Sequence, residues 1–236
     1  MNPNKAQNLN KSYKENIPQF WEDLYQTSDD NWDLKGETPI FKKLATELPL
    51  GRVCIIGCGR GYDAIEFAKK GFHVTAIDFA PSAISSLKNM ANLMDVSLEI
   101  IRKDIFDLLP EYHDSFDYVL EQTCFCAIHP SRRKEYENIV KGILKMGGHL
   151  VGLWFPLDKD SAEEGPPYGT SIEEVKSTFD SGWEIKKEEF SEHSIKPRKG
   201  REKLVVFKKI GRSNEYYLRV SNTIYFPLHF LYPLYL

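Results

Sequence analysis

Short apolar runs alternate with amphipathic stretches through the middle of this chain. "RVCIIG" (52–57), "FHVTAID" (72–78), "SLEIIRKD" (97–104), "FDYVLEQ" (116–122) and "HLVGLWFP" (149–156) read as strands. Between them, "DAIEFAKKG" (63–71) reads as a helix ended by Gly71, and "PSAISSLKNMANLM" (81–94) as one with Pro81 in its first turn. "PSRRKEYENIVKGILKMGG" (130–148) reads as a long helix closed by two glycines. A Gly/Pro loop, "DKDSAEEGPPYG" (158–169), leads to a short helix, "SIEEVKSTFD" (171–180). Two more strands follow, "WEIKKEEF" (183–190) and "EKLVVFKK" (202–209). The alternation predicts βαβ units, an α/β fold class and a mostly parallel seven-stranded sheet with ligands at the carboxyl ends of the strands.

The two ends follow other patterns. "IPQFWEDLYQTSDDNWDLKGETPIFKKLATEL" (17–48) predicts a short helix, an aromatic-bearing loop and a second amphipathic helix. Trp21, Leu24 and Tyr25 share one helical face, and Phe41, Leu44 and Leu48 another. Residues 1–14 read as a flexible polar start and 15–210 as one domain whose first part is 15–50. Residues 211–236, "GRSNEYYLRVSNTIYFPLHFLYPLYL", read as a loosely ordered aromatic tail broken by Pro227 and Pro233. A membrane span needs about 20 continuous apolar residues, which this tail lacks.

Composition narrows the function classes. The 236 residues suffice for one sizeable core. A net charge of -3 gives no basic footprint for nucleic acid, and the polar start, "MNPNKAQNLNKSYKEN", is no secretory leader. Cys54, Cys58, Cys124 and Cys126 have neither disulfide-framework nor zinc-ligand spacing. They read as reduced thiols of a cytoplasmic protein, with no metal.

The candidate chemistry begins in "CIIGCGRGYD" (54–63). A dinucleotide fingerprint is G-x-G-x-x-G, whose third glycine would fall at position 62, which is Tyr62. The pattern is instead G-x-G-x-G, and no Lys-Ser/Thr pair follows to make a phosphate loop. The second strand ends in Asp78, 17 residues after Gly61, where an acid can accept both hydroxyls of a ribose. The third ends in Asp104 and Ile105, a pair able to bond an adenine amino group and pack on its ring. Adenosine without a pyrophosphate points to S-adenosylmethionine.

The motifs "FWEDLY…NWD", "GCGRGYD", "AIDFAPSAI", "DIF", "FDYVLEQTCFCAIHPSRRKEY", "GPPYGTS" and "RKGREKL" run from Phe20 to about Lys209. In them the chain resembles class I S-adenosylmethionine-dependent methyltransferases of the thiopurine methyltransferase superfamily, above all the plant-type halide and thiol methyltransferases. The resemblance implies a single Rossmann-like three-layer sandwich with an N-terminal helical lid. It implies that Trp21 and Trp32 enclose the cofactor, that Gly57 and Gly59 line its methionine end, and that Asp78 holds the ribose. Asp104 and Ile105 would hold the adenine, and Glu121 would sit beside the cofactor. Tyr25 stands where family members often carry a second Trp, and "EQTCF" is less aromatic than expected of a halide enzyme.

Methyl transfer from a sulfonium to an anion needs alignment and desolvation more than a base. The acceptor is then a small ionised thiol, hydrosulfide, thiocyanate or halide, taken by a monomer. Tyr168 and Arg133 are candidate donors to that anion. Methylation of a larger heteroaromatic thiol or a metalloid is the alternative. A non-catalytic cofactor-binding module and a dinucleotide oxidoreductase are rivals of other classes.

Overall fold

The computed structural model describes residues 13–211; the expectations for a flexible start and an aromatic tail fall largely outside them. Strands β1 (Arg52–Ile56), β2 (His73–Asp78), β3 (Glu99–Arg102), β4 (Phe116–Gln122), β5 (Leu144–Trp154), β6 (Trp183–Glu189) and β7 (Lys203–Lys209) form one sheet. Their order is β3-β2-β1-β4-β5-β7-β6. The first five run parallel, and β7 pairs antiparallel with both β5 and β6. The order reverses between β1 and β4, so the crevice opens beyond their carboxyl ends.

Helices α1 (Pro18–Thr27) and α2 (Pro39–Glu47) precede the sheet. Helices α3 (Tyr62–Lys69), α4 (Pro81–Leu93), α5 (Arg133–Ile143) and α6 (Ile172–Thr178) connect its strands. Proline opens α1, α2 and α4, where its missing N–H costs nothing.

Strand alternation sorts the core into two layers. Val53 and Ile55 of β1 join Phe41, Ile65, Phe67 and Leu87 of α2, α3 and α4. Cys54 and Ile56 join Tyr136, Val140 and Val175 of α5 and α6. Both layers consist of buried side chains, the three-layer arrangement that the resemblance implies.

One boundary departs from expectation. The helix read over 130–148 is a 3₁₀ turn, Pro130–Arg132, followed by α5, which stops at Ile143. "LKMGG" belongs to β5, where Leu144 pairs with Phe116 and the register shifts before Tyr118. The backbone N–H groups of Asp114 and Ser115 bond the carbonyls of Gly142 and Ile143, drawing the chain into the sheet. The two glycines form a strand irregularity, not a helix cap.

Candidate active site

The loop after β1 is built around two close approaches. Gly57 has φ +57°, and a Cβ there would lie 2.9 Å from the Cys124 Sγ that follows β4. The side chain is absent where two strand ends converge. Asp78, at the end of β2, accepts from the Gly59 N–H through Oδ2 and the Ala80 N–H through Oδ1, both at 2.9 Å. The acid thus fixes the glycine turn and the entry to α4 together. Burial raises the carboxyl above its ordinary range, while the Ala80, Gly59 and Phe79 N–H groups pull it back.

Asp104 caps a 3₁₀ turn, Ile105–Asp107, by accepting from the Phe106 N–H at 3.0 Å. Burial raises its carboxyl too. The Phe106 ring carries the Arg132 guanidinium 3.5 Å from its centroid. Across the opening, Trp32 meets Trp21 and Tyr25 edge-on at 5.4 and 5.5 Å. Glu22 ties this aromatic wall to α4, accepting from Ser82 N and Oγ at 2.8 and 2.6 Å.

These elements enclose a cavity of about 550 Å³ lined by Trp21, Trp32, Gly57, Asp78, Asp104 and Ile105, among others. A smaller one of about 70 Å³ adjoins it through Gly57, Tyr25, Trp32 and Thr123, and Gly59 lines this second space. Six of the eight residues expected at the cofactor thus share the main cavity, and Gly59 borders its extension. Gln122 lines the smaller cavity, its Oε1 accepting from Thr38 Oγ1 at 2.6 Å. Its Nε2 is buried with no partner among the described residues. That orphaned donor, in a wall shared with Gly57, fits a ligand whose polar end enters there.

Three expected site residues lie elsewhere. Glu121 turns away from the cavity: its Oε1 accepts from the N–H groups of Cys124 and Phe125 at 3.1 and 2.9 Å, and its Oε2 from the Tyr136 hydroxyl. The pleat sends residue 121 to the α5 side and Gln122 to the other. Tyr168 donates through Oη to Glu15 at 2.7 Å and meets His129 edge-on. Arg133 donates to the Gly169 carbonyl at 2.7 Å and lies over Phe125. Tyr168 and Arg133 therefore brace the loops. Their neighbours Pro166, Pro167 and Arg132 line the cavity, and Arg132 also donates to Asn16 at 3.0 Å. Arg198 of "RKGREKL" lines it as well, unanticipated as a site residue because contacts with the Trp32 carbonyl and the Phe155 ring, both distant in the chain, bring it there.

Burial pushes the Cys124 thiol well above its ordinary value and the Cys126 thiol up to about 12. Both keep their protons and are poor nucleophiles. Burial also pushes the Glu121 carboxyl from 4.5 to about 7. Between those values the folded protein binds more protons than the unfolded chain, so stability falls as pH rises through the window. Relative to Glu121→Gln, the wild type is expected to lose on the order of 3 kcal/mol across it and nothing further above it. Denaturant unfolding of both proteins at several pH values checks this; parallel curves would contradict it.

Residues 16–211 match the sequence model of the family described as thiopurine S-methyltransferase. An Arabidopsis thaliana protein named as a probable thiol methyltransferase is 34% identical over 200 residues, 83% of this chain and 87% of the relative. Thiocyanate methyltransferase 1 of the same plant is 30% identical over 200 residues, covering 81% and 85%. The fold is shared with a Burkholderia thailandensis 1,6-didemethyltoxoflavin-N1-methyltransferase, solved with its substrate and S-adenosylhomocysteine. The TM-score is 0.65 at 18% identity, over 82% of this chain and 87% of that one.

Proposed function

This chain belongs to the thiopurine S-methyltransferase family and is an S-adenosylmethionine-dependent methyltransferase; from that premise we propose that it methylates a small soft nucleophile by direct in-line displacement. The acceptor is a thiol or hydrosulfide, thiocyanate or a halide. The observation that carries this reading is the composition of the cavity wall. About 550 Å³ is within the range of small-molecule sites and holds the cofactor together with a further small molecule. The rest of the wall includes Phe155, Pro166 and Pro167, a weakly polar surface suited to an anion that sheds its water readily. Relatives named for thiol and thiocyanate acceptors support the same class.

In this reading Asp78 holds the ribose hydroxyls, and Asp104 with Ile105 holds the adenine. Gly57, Gly59 and Gln122 border the amino-acid end, while Trp21 and Trp32 close the outer wall. S-adenosylmethionine supplies a methyl group on a sulfonium: the acceptor's lone pair bonds the methyl carbon as the carbon–sulfur bond breaks, its electrons staying on the donor sulfur. The protein's part is to align the reactants and exclude water, which together supply on the order of 7–11 kcal/mol. No base is needed for an acceptor that arrives ionised, and the protonated Cys124 and Cys126 do not compete for the methyl group. A bulkier heteroaromatic thiol, the acceptor class in the family's name, is the second reading, and the wall of Phe155, Pro166 and Pro167 would then face its ring.

The same proposal takes the protein as a monomer of the cytoplasm that binds neither nucleic acid nor membrane. Its four free cysteines support a reducing compartment. Among the described residues no helix is long and apolar enough to cross a membrane. Headspace analysis of the protein with S-adenosylmethionine and thiocyanate, hydrosulfide or iodide tests the acceptor. Methyl thiocyanate, methanethiol or methyl iodide is expected; none of them, with an aromatic thiol methylated instead, would overturn the reading.

A further inference from the structure

We propose that Gln122 receives the ammonium of the cofactor's amino-acid end through its amide oxygen, and that Asp63, acting through Thr38, decides whether that oxygen is on offer; this rests on the reading above that Gly57, Gly59 and Gln122 border that end. The three side chains make a chain of contacts in the wall of the smaller cavity. Asp63, in the first turn of α3, accepts from the Thr38 N–H through Oδ1 at 2.7 Å. The buried Thr38 hydroxyl lies 2.8 Å from Asp63 Oδ2 and 2.6 Å from Gln122 Oε1. The other end of the Gln122 amide is buried and has no hydrogen-bond partner among the described residues.

One hydroxyl proton cannot serve two acceptors, but a hydroxyl can donate and accept at once. Both short contacts are therefore satisfied in two ways. When Asp63 is ionised it takes the Thr38 proton. Gln122 then turns its amide, donates Nε2–H to Thr38 Oγ1, and leaves Oε1 without a partner. When Asp63 is protonated it donates to Thr38 Oγ1, Thr38 donates to Gln122 Oε1, and Nε2 is the end left over. Turning the amide exchanges an oxygen for an NH₂ with almost no change of shape. One proton on Asp63 thus converts the free end of Gln122 from an acceptor into a donor.

The surroundings suit a cation when Asp63 is ionised. Glu37 and Arg198 are the charged groups that face Asp63, and they oppose each other. Arg60 and Asp33 also line the smaller cavity, but Arg60 is engaged by Asp30 at 2.6 Å and by Asp33 at 3.1 Å. Burial keeps Tyr25, Tyr62 and Cys58 of the same wall protonated. Burial also pushes the Asp63 carboxyl up to about 6, against the pull of its two bonds from Thr38. An ammonium at Gln122 favours the ionised form, so Asp63 holds its proton less tightly in the complex than in the free protein. Affinity is then full well above the free protein's value and falls as pH drops through it. Gln122 is the cofactor-binding residue, and Thr38 and Asp63 are positioning residues.

Calorimetric titration with two ligands tests this: S-adenosylhomocysteine, which keeps the amino-acid end, and 5′-methylthioadenosine, which lacks it. Between pH 7 and pH 5 the wild type is expected to lose about five- to tenfold more affinity for the first than for the second. At pH 6, titrations in buffers of different ionisation enthalpy should show roughly half a proton more released with S-adenosylhomocysteine. Gln122→Met, with 5′-methylthioadenosine binding as the sign that it is folded, binds S-adenosylhomocysteine about tenfold more weakly at pH 7 and loses little more at pH 5. Thr38→Val frees the amide from Asp63, so its affinity for S-adenosylhomocysteine at pH 5 stays within about twofold of that at pH 7. Equal pH dependence and equal proton release with the two ligands in the wild type would overturn the relay. So would an undiminished acid loss in Gln122→Met or Thr38→Val. A wild type that binds neither ligand at any pH would instead overturn the cofactor reading beneath it.

Discussion

Asp78→Ala is expected to weaken S-adenosylmethionine binding by roughly 100-fold or more. Two ribose hydroxyls donating to a carboxylate contribute about 1.5–3 kcal/mol each, and every 1.4 kcal/mol is tenfold. The carboxylate also holds the glycine turn, because Gly59 N and Ala80 N both donate to it. Removing it leaves two buried donors unmade, so the variant is expected to melt at lower temperature as well. Asp78→Asn separates the effects. Its single amide oxygen keeps one of the backbone bonds and most of the volume, so stability recovers in part while cofactor binding stays weak. Calorimetric titration beside thermal unfolding checks both proteins. Binding within twofold of wild type in a folded Asp78→Ala would remove the acid from the cofactor site.

Gly61→Ala carries the largest expected cost to the fold. Gly61 has φ +84° at the entry to α3, and a Cβ there would lie 2.3 Å from Cδ1 of Leu87, a fully buried residue of α4. Left-handed backbone strain costs about 1–2 kcal/mol and overpacking about 1–3 kcal/mol, so the variant should lose roughly 2–5 kcal/mol in denaturant unfolding. In a Leu87→Ala background the clash is gone, and Gly61→Ala should cost only the backbone part, about 1–2 kcal/mol. An equal cost in both backgrounds would mean that helix packing has no part in the requirement. The third glycine thus stands one residue earlier than in a dinucleotide fingerprint and serves close packing of α4 against the turn.

The central alternation of strand and helix was legible because each strand is short, apolar and bounded by a helix signal. The acids at the ends of β2 and β3 could be placed for the same reason: parallel strands bring Asp78 and Asp104 to one edge without further information. What the sequence concealed depends on finer phases. Gly147 and Gly148 can close a helix or interrupt a strand, and only the pairing of Leu144 with Phe116 decides. Glu121 and Gln122 are both polar at a strand exit, and the pleat alone sends one to Tyr136 and the other to the smaller cavity. Arg132 and Arg133 differ by one position across the junction of a 3₁₀ turn and α5, which puts only the first in the cavity wall. Arg198 reaches the site through a contact with a residue 166 positions earlier, which no local pattern encodes.

The cofactor half of the site rests on the strand ends, and the acceptor half on the walls that remain. The most direct test of that second half is a comparison of kcat/KM for thiocyanate or hydrosulfide against a heteroaromatic thiol, with S-adenosylmethionine saturating. On the proposed reading a small anionic acceptor is favoured by at least roughly tenfold. A preference for the heteroaromatic thiol would contradict the account.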